Sequence, residues 1–403
     1  LVDTAIIGRL GTEELGGLAV AASVLALVVI GSNFLTYGTT QRVANRLGAG
    51  RDSDAADVGV QAMWLALIVG AIAVPLLTTA ARPLSSILGA EGEILDVAVL
   101  YLRISALGVP FVLIALAAQG VQRGAADYRT PLVILVIANL VNLVVELVFV
   151  FGFHWGVAGA AWSTVLAQAG AGFAFLSAIR KPLSLSVNRL PDLEGMGPLL
   201  TAGKHLLLRS GSMLIVFVGA TAVAARIDSA TLAAHQITIT VFLFMALALD
   251  ALAVPAQTLV ADELGQGTGG APVIAGRVVR LSVFAGASMA ALIAISAPVL
   301  PRLFTSDEAV ISRATAALVF LAILLLPGAL AFAYDGVLIG AADYRFLGRA
   351  ALAYLVAVVP IAAVVLTTPS LGIAGIWIGL TVWMVLRAVV NRRRVANVLP
   401  LVG

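Results

Sequence analysis

Apolar residues in this chain come in long unbroken stretches rather than in alternation. The stretches recur from one end to the other, separated by short breaks that carry Gly, Pro or charge. About 20 apolar residues in a row are enough for one helix to cross the hydrocarbon of a bilayer. Spanning helices are predicted near 1–10, 15–45, 56–81, 93–122, 131–153, 157–180, 199–226, 231–262, 274–301, 309–339, 346–367 and 372–391. That is twelve, of which the first is too short to span, so the sequence is expected to begin inside its first helix. Several are longer than a span needs, which implies tilt or extension past the bilayer. The strands of a membrane barrel would be roughly ten residues long and strictly alternating. Runs such as LVILVIANLVNLVVELVFVF at 132–151 do not alternate, so an all-α membrane protein is predicted.

The pattern also repeats. GAADYR occurs at 124–129 and again at 340–345, an offset of 216. GVAGAAW at 156–162 returns as GIAGIWI at 372–378 with the same offset, and ANRLGAG at 44–50 returns as ADELGQG at 261–267, offset by 217. Three matches in one order at one spacing imply a duplicated unit of six helices. Six is even, so both halves enter the membrane from the same side. The two bundles are then related by a pseudo-two-fold axis along the membrane normal. The expected organisation is an N-lobe at 1–180, a proline-bearing cytoplasmic linker at 181–198 and a C-lobe at 199–403. Duplicated bundles of this kind rock about a site near the midplane, which points to a secondary transporter.

Composition narrows the class. Of 403 residues, 61% are hydrophobic and only 11% charged, against roughly 25% charged in a soluble domain. A cytosolic enzyme, a disordered chain and a nucleic-acid binder are excluded. There is no Cys and only three His, and neither an HExxH motif nor a convincing Ser/His pair is present. An enzyme is therefore not expected, nor is any cofactor. The net charge is +3, but placement matters more than the total. Arg46, Arg51, Arg123, Arg129, Lys181, Arg189, Arg277, Arg345 and Arg392–Arg394 fall on one side of the predicted topology. By the positive-inside rule that side is cytoplasmic. Both termini are then expected in the cytoplasm of a cell whose plasma (inner) membrane the chain crosses as a multi-pass monomer.

Few acids lie in the predicted spans away from the first and last turns of the longer ones: Asp3, Glu146, Asp250 and Asp335. A carboxylate in hydrocarbon costs several kcal/mol unless neutralised, paired or hydrated, so each is a candidate for function. Asp3 lies about six residues, or roughly 10 Å, inside the end of its helix. Glu146 follows Asn142 by four residues and Asn139 by seven, which puts all three on one helical face. Asp250 matches Asn33 at offset 217, and Asp335 matches Gln119 at offset 216. Because both repeat-mates are polar, Asn33, Gln119, Asp250 and Asp335 are candidates to line a substrate cavity, and Asn139, on the polar stripe of its helix, is another. Asp3, Asn142 and Glu146 instead map onto small or apolar positions near Gly219 or Ala220, Val358 and Ala362. An acid cluster in one half alone suits a dedicated coupling-ion site. A desolvated carboxyl beside a second acid binds a proton near neutral pH, and its oxygens also suit a hard monovalent cation. Elsewhere, His235 is expected to be structural, His205 and Arg209 to anchor a helix end, and Arg103 to snorkel or to pair with Asp96.

VDTAIIGRLGTEELGGLAVA, the repeated LGAG/LGQG, both GAADYR segments and GVAGAA together resemble the multidrug and toxic compound extrusion (MATE) family. LALDALAVPAQTLVADELG and FAYDGVLIGAADYR are most similar to its DNA-damage-inducible F subgroup. The resemblance implies proton or cation coupling at Asp3 together with Asn142, Glu146 and Thr164, the last within GVAGAAWSTVLAQ. Na⁺ bound by those four residues is the alternative to H⁺. Family members more often carry Asp where this chain has Glu146. Helix 7 holds no acid, so a C-lobe sodium site of the kind found elsewhere in the family is not expected. The activity implied is export of small amphipathic, often cationic organic compounds in exchange for H⁺ or Na⁺, with membrane lipid as the surrounding partner. A lipid-linked precursor flippase of the same superfamily is the rival. It would need a strongly cationic cavity, whereas the intramembrane charges read here are mostly acidic.

Overall fold

The structure, a computed structural model, describes residues 2–399. All regular elements among the described residues are helical. Contacts divide the chain into two compact units, Leu1–Gly203 and Lys204–Gly403. Unit 1 contains α1 (Val2–Ile7), α2 (Thr12–Ser32), α3 (Phe34–Gly48), α4 (Asp52–Thr79), α5 (Ala81–Ile87), α6 (Gly92–Ala106), α7 (Val109–Gly124), α8 (Arg129–Leu147) and α9 (Gly156–Leu183). The helix α10 (Leu193–Ile227) starts in unit 1 and runs into unit 2. There it is followed by α11 (Ser229–Gln266), α12 (Ala271–Ser296), α13 (Glu308–Gly340), α14 (Tyr344–Thr367) and α15 (Gly372–Val398). Ten helices among the described residues are long and apolar enough to cross a membrane, taking α2 and α3 as one, and the bent pair α6/α7 makes eleven. The short α1 stands for the remaining predicted helix.

Two predicted helices of unit 1 are broken. The stretch read as 15–45 divides at Asn33, and that read as 93–122 divides at Leu107 and Gly108 with a bend of 51°. At the second break Pro110 opens the new helix. Its missing N–H is harmless in a first turn, whereas deeper in a helix a proline removes one hydrogen bond, which α13 tolerates at Pro327 without a break. The matching helices of unit 2, α11 with 38 residues and α13 with 33, are continuous.

The repeat found in the sequence is a repeat of geometry. In unit 1, α7 packs against α3, α4 and α9; in unit 2, α13 packs against α11, α12 and α15. Gly120 of α7 and Gly336 of α13 are 216 residues apart, and each is pressed against the neighbouring helix. A Cβ at Gly120 would stand 2.7 Å from Thr39 Cβ, and one at Gly336 would stand 2.4 Å from Ala253 O. Close backbone approach of this kind replaces the hydrophobic drive that helices lack in lipid. The two GAADYR corners share an unusual residue as well: Ala126 and Ala342 have φ of 57° and 58°. Asp127 N–H then donates to Gln122 O at 2.8 Å, and Asp343 N–H to Leu338 O at 2.9 Å. Asp127 caps α8 by accepting from Arg129 N–H and Thr130 N–H. Hydrogen bonds from the Thr130 side chain and from these amides hold its carboxyl below the usual range. Asp343 accepts from Arg394 Nε at 2.6 Å.

The link between α9 and α10 is fastened to α4. Asp57, Gln61 and Trp64 follow one another at four and three residues, along one helical face. Asp57 Oδ1 accepts from Ser186 Oγ at 2.6 Å and from the N–H groups of Val187 and Asn188, each at 2.9 Å. Gln61 donates to Leu190 O and accepts from Asp192 N–H, while Trp64 Nε1 donates to Arg189 O. One expected pairing is corrected: Asp96 is bound by Arg82 at 2.5 Å, and Arg103 Nε donates instead to Thr78 O at 3.2 Å. Arg82 opens the short helix α5, which faces the start of α6 and so reaches Asp96 first.

Leucine at Gly336 is expected to lower stability by about 1–3 kcal/mol through overpacking, read as a lower melting temperature in detergent. An unchanged melting temperature would mean the contact is loose. Replacing Asp57 by Ala removes hydrogen bonds to a charged acceptor. Cleavage within residues 186–192 should then accelerate by roughly tenfold in limited proteolysis, with no change if the linker is held by other means.

Candidate functional site

In unit 1, α1, α6, α8 and α9 bring together Asp3, Tyr101, Asn142, Glu146 and Thr164. The stripe on α8 passes from open to closed: Asn139 is exposed, Asn142 half-buried and Glu146 fully buried. The Asp3 carboxyl stands beside that of Glu146. The contact falls outside regular hydrogen-bond geometry, so both Glu146 oxygens are left without a strong partner. Asn142 Nδ2 donates to Ser163 Oγ at 3.4 Å, and Ser163 and Thr164 donate in turn to Ala160 O. Immediately after Glu146 the helix widens into a π turn, Val148–Gly152. Such turns re-register a helix and occur frequently at functional sites.

Tyr101 completes the cluster, and sequence reading passed over it. The residue is 4% exposed. Its hydroxyl lies beside the Thr164 and Ser105 side chains and faces the carboxyls of Asp3 and Glu146. The signal available was a phenol within a spanning helix, where a buried O–H needs a partner. The chemistry assembled here is two carboxyls, an amide and two hydroxyls. Their oxygens match the ligand type of a small hard cation.

A cavity of about 910 Å³ opens beside the cluster, within unit 1. Asp3, Gln119, Asn139, Asn142, Thr164 and Gln168 supply its polar wall, and side chains such as Val112, Leu116 and Leu143 the apolar one. Gln119 accepts from Arg123 at 3.2 Å. Gln168, a second residue not singled out from the sequence, has its Oε1 buried without a partner. The cavity therefore brings two of the expected lining residues, Gln119 and Asn139, to the same wall as Asp3.

The other expected lining residues, Asn33, Asp250 and Asp335, are not among those that line it. Asn33 marks the break between α2 and α3. Asp250 is half-buried on α11 and has an interaction of its own. Asp335, expected to line a substrate cavity, is buried within unit 2. At 4% exposure it is paired with Arg209 of α10 and, at 2.8 Å, with Arg387 of α15. Asn391 Nδ2 donates to its second oxygen at 2.6 Å, and Tyr354 donates to Asn391. Arg387 also lies over the Trp383 ring at 4.8 Å. Arg209, expected to anchor a helix end, is thus a partner in a buried ion pair. A carboxylate in hydrocarbon recruits the nearest guanidinium because an unpaired charge there is expensive. His235 is fully buried against Thr221 and Trp377.

The architecture is that of an integral, multi-pass membrane protein of the transporter class. A family model confirms it from sequence: residues 1–148 and 207–364 match MatE, and the chain belongs to that family. It is 31% identical over 417 residues to Protein DETOXIFICATION 44, chloroplastic, of Arabidopsis thaliana, covering 98% of this chain and 78% of the relative. It is 30% identical over 394 residues to DNA damage-inducible protein F of Escherichia coli K12, covering 96% and 85%. The crystal structure of MATE in the bent conformation shares the fold with a TM-score of 0.92 at 20% identity, covering 98% and 91% of the two chains. The family and its F subgroup, inferred from motifs, are thereby shown.

Tyr101→Phe removes one hydroxyl facing two carboxyls. The hydroxyl lies beside the neutral Thr164 and Ser105 side chains, and a neutral hydrogen bond is worth about 0.5–1.5 kcal/mol, so transport is expected to fall by roughly two- to tenfold, with a displaced pH profile and unaltered membrane insertion. Wild-type rates across pH would remove Tyr101 from the cluster.

Proposed function

We propose that the chain is a secondary active exporter of small amphipathic, often cationic organic compounds, driven by inward H⁺ or Na⁺ through alternating access. The observation that carries this is the double position of Asp3, which borders the unit 1 cavity and also stands beside Glu146. A cationic compound in the cavity is drawn to an ionised Asp3. A proton or Na⁺ held among Asp3, Asn142, Glu146 and Thr164 neutralises that attraction. The two ligands therefore oppose each other through one side chain, and negative linkage of that kind is what exchange requires. Gln119, Asn139 and Gln168 offer donors and acceptors to polar parts of the cargo, and the Val and Leu wall accepts its apolar body. The chain works as a monomer in the plasma (inner) membrane, with both termini in the cytoplasm.

The flippase reading calls for a cationic cavity. Among the described residues the charged side chain on this cavity wall is Asp3, which favours cationic cargo over a pyrophosphate.

Asp3→Asn is expected to abolish gradient-driven efflux from proteoliposomes while leaving membrane insertion intact. Normal pH-driven or Na⁺-driven efflux by that variant would overturn the mechanism.

A further inference from the structure

The repeat pairs an open space in unit 1 with a filled one in unit 2. On α8 and α9 the cavity of about 910 Å³ is lined by three alanines, Ala138, Ala167 and Ala171. Adding 216 gives Tyr354, Trp383 and Arg387. On α7, Leu116 and Gln119 of the cavity wall become Phe332 and Asp335 of α13. In unit 2 these larger side chains pack on one another. Arg387 lies over the Trp383 ring at 4.8 Å and the Phe332 ring at 5.8 Å, and it is paired with Asp335 at 2.8 Å. Tyr354 donates to Asn391, and Trp383 meets the Phe217 ring edge-on at 5.5 Å. Tyr354, Trp383 and Arg387 are all buried.

The difference is one of side-chain volume on a common frame. Packed interiors leave little unused space, so a phenol, an indole and a guanidinium stem close what they border. Where unit 2 carries those groups, each alanine of unit 1 presents a single methyl. Ala138 falls inside the stretch of lining on α8, 135–143, and Ala167 inside that on α9, 164–171. The wall opposite carries the groups that would hold a ligand. Asp3 supplies a carboxyl. Gln119 is 7% exposed, and its Oε1 accepts from Arg123 at 3.2 Å. A guanidinium only donates, so it binds the oxygen of that amide. The nitrogen of Gln119 is the part left to donate to a molecule in the cavity.

We infer that Ala138, Ala167 and Ala171 are specificity-determining residues: they set the breadth of the unit 1 cavity and so the bulk of the largest cargo it accepts. The inference rests on the reading that cargo occupies this cavity with its cation toward Asp3. In unit 2 a built-in cation, Arg387, held by an acid and covered by two rings, fills the corresponding space. Giving unit 1 the side chains of unit 2 narrows its cavity from the α8 and α9 side and leaves Asp3 and Gln119 in place. Bulky cations are then turned away before slim ones of the same charge.

The test titrates the purified protein with tetraethylammonium and with tetraphenylphosphonium, two monovalent cations that differ in bulk, and reads binding by calorimetry. Wild type should bind both. Ala167→Trp should weaken tetraphenylphosphonium relative to tetraethylammonium by roughly tenfold or more, the scale on which a filled pocket discriminates by size. Ala138→Tyr should act in the same direction, and the milder Ala167→Leu should shift the ratio by a smaller factor. A loss of fold would lower both affinities together and leave the ratio where it was. Asp3→Asn should weaken both cations alike, which reads the underlying assignment separately. Wild type that binds neither cation, or Asp3→Asn that binds both as wild type does, would overturn that assignment and the inference with it. Both cations weakened by Asp3→Asn, but a ratio unchanged in Ala167→Trp, Ala138→Tyr and Ala167→Leu, would overturn the inference alone.

Discussion

Glu146 is buried in a helix that crosses hydrocarbon, and the carboxyl beside it is another acid, Asp3. Most of the molecule's functional logic follows from how a carboxyl in that medium is stabilised. An ionised carboxylate without a partner there costs several kcal/mol, and two of them side by side cost more. Uptake of a proton or a small cation relieves both costs. In unit 2 the same constraint has a different solution. Asp335 is equally buried, yet two guanidiniums and an amide satisfy its oxygens. Breaking such a pair by removing one partner is strongly destabilising, so Asp335 is fixed. The halves therefore differ: unit 1 holds two adjacent acids, and unit 2 one acid locked into the packing by its ion pairs.

The duplicated backbone is common to both halves. Gly120 and Gly336 set the same close helix approach in each unit, and Ala126 and Ala342 turn the same corner. On this shared frame Asp3, Asn139, Asn142, Glu146 and Thr164 of unit 1 have Gly219, Leu355, Val358, Ala362 and Leu380 as their repeat-mates, which line an apolar groove in unit 2. A proton or cation site needs only a few oxygen-bearing side chains within a packed frame, so one copy of a duplicated bundle can carry it while the other is released from that duty. The broken helices belong to unit 1 as well, at Asn33 and Gly108. Breaks in spanning helices expose backbone groups and are tolerated where protein or a cavity satisfies them.

Much of this was legible in the residues themselves. Long apolar runs showed the helices, and GAADYR at two positions showed the duplication, because both depend on local sequence. The acids were legible because a carboxylate inside an apolar run is conspicuous. Their partners were not. Arg387 lies in WMVLRAVV, a few residues before a basic run, and reads there as one more anchoring cation; only the packing of α13 on α15 brings it to Asp335. Tyr101 sits in an apolar helix where a phenol passes for a core aromatic, and its position beside Thr164 is tertiary. The break at Gly108 did leave a mark, in the GVP that opens α7. A hydrophobicity pattern reads through such a mark because apolarity continues across it.

Cargo and coupling ion are proposed to oppose each other through Asp3. Calorimetry of cargo binding to the purified protein, in buffers of different ionisation enthalpy and with Na⁺ present or absent, tests it most directly. Binding of a cationic compound is expected to release close to one proton, or to weaken markedly as Na⁺ is raised. Binding that releases no proton and ignores Na⁺ would contradict it.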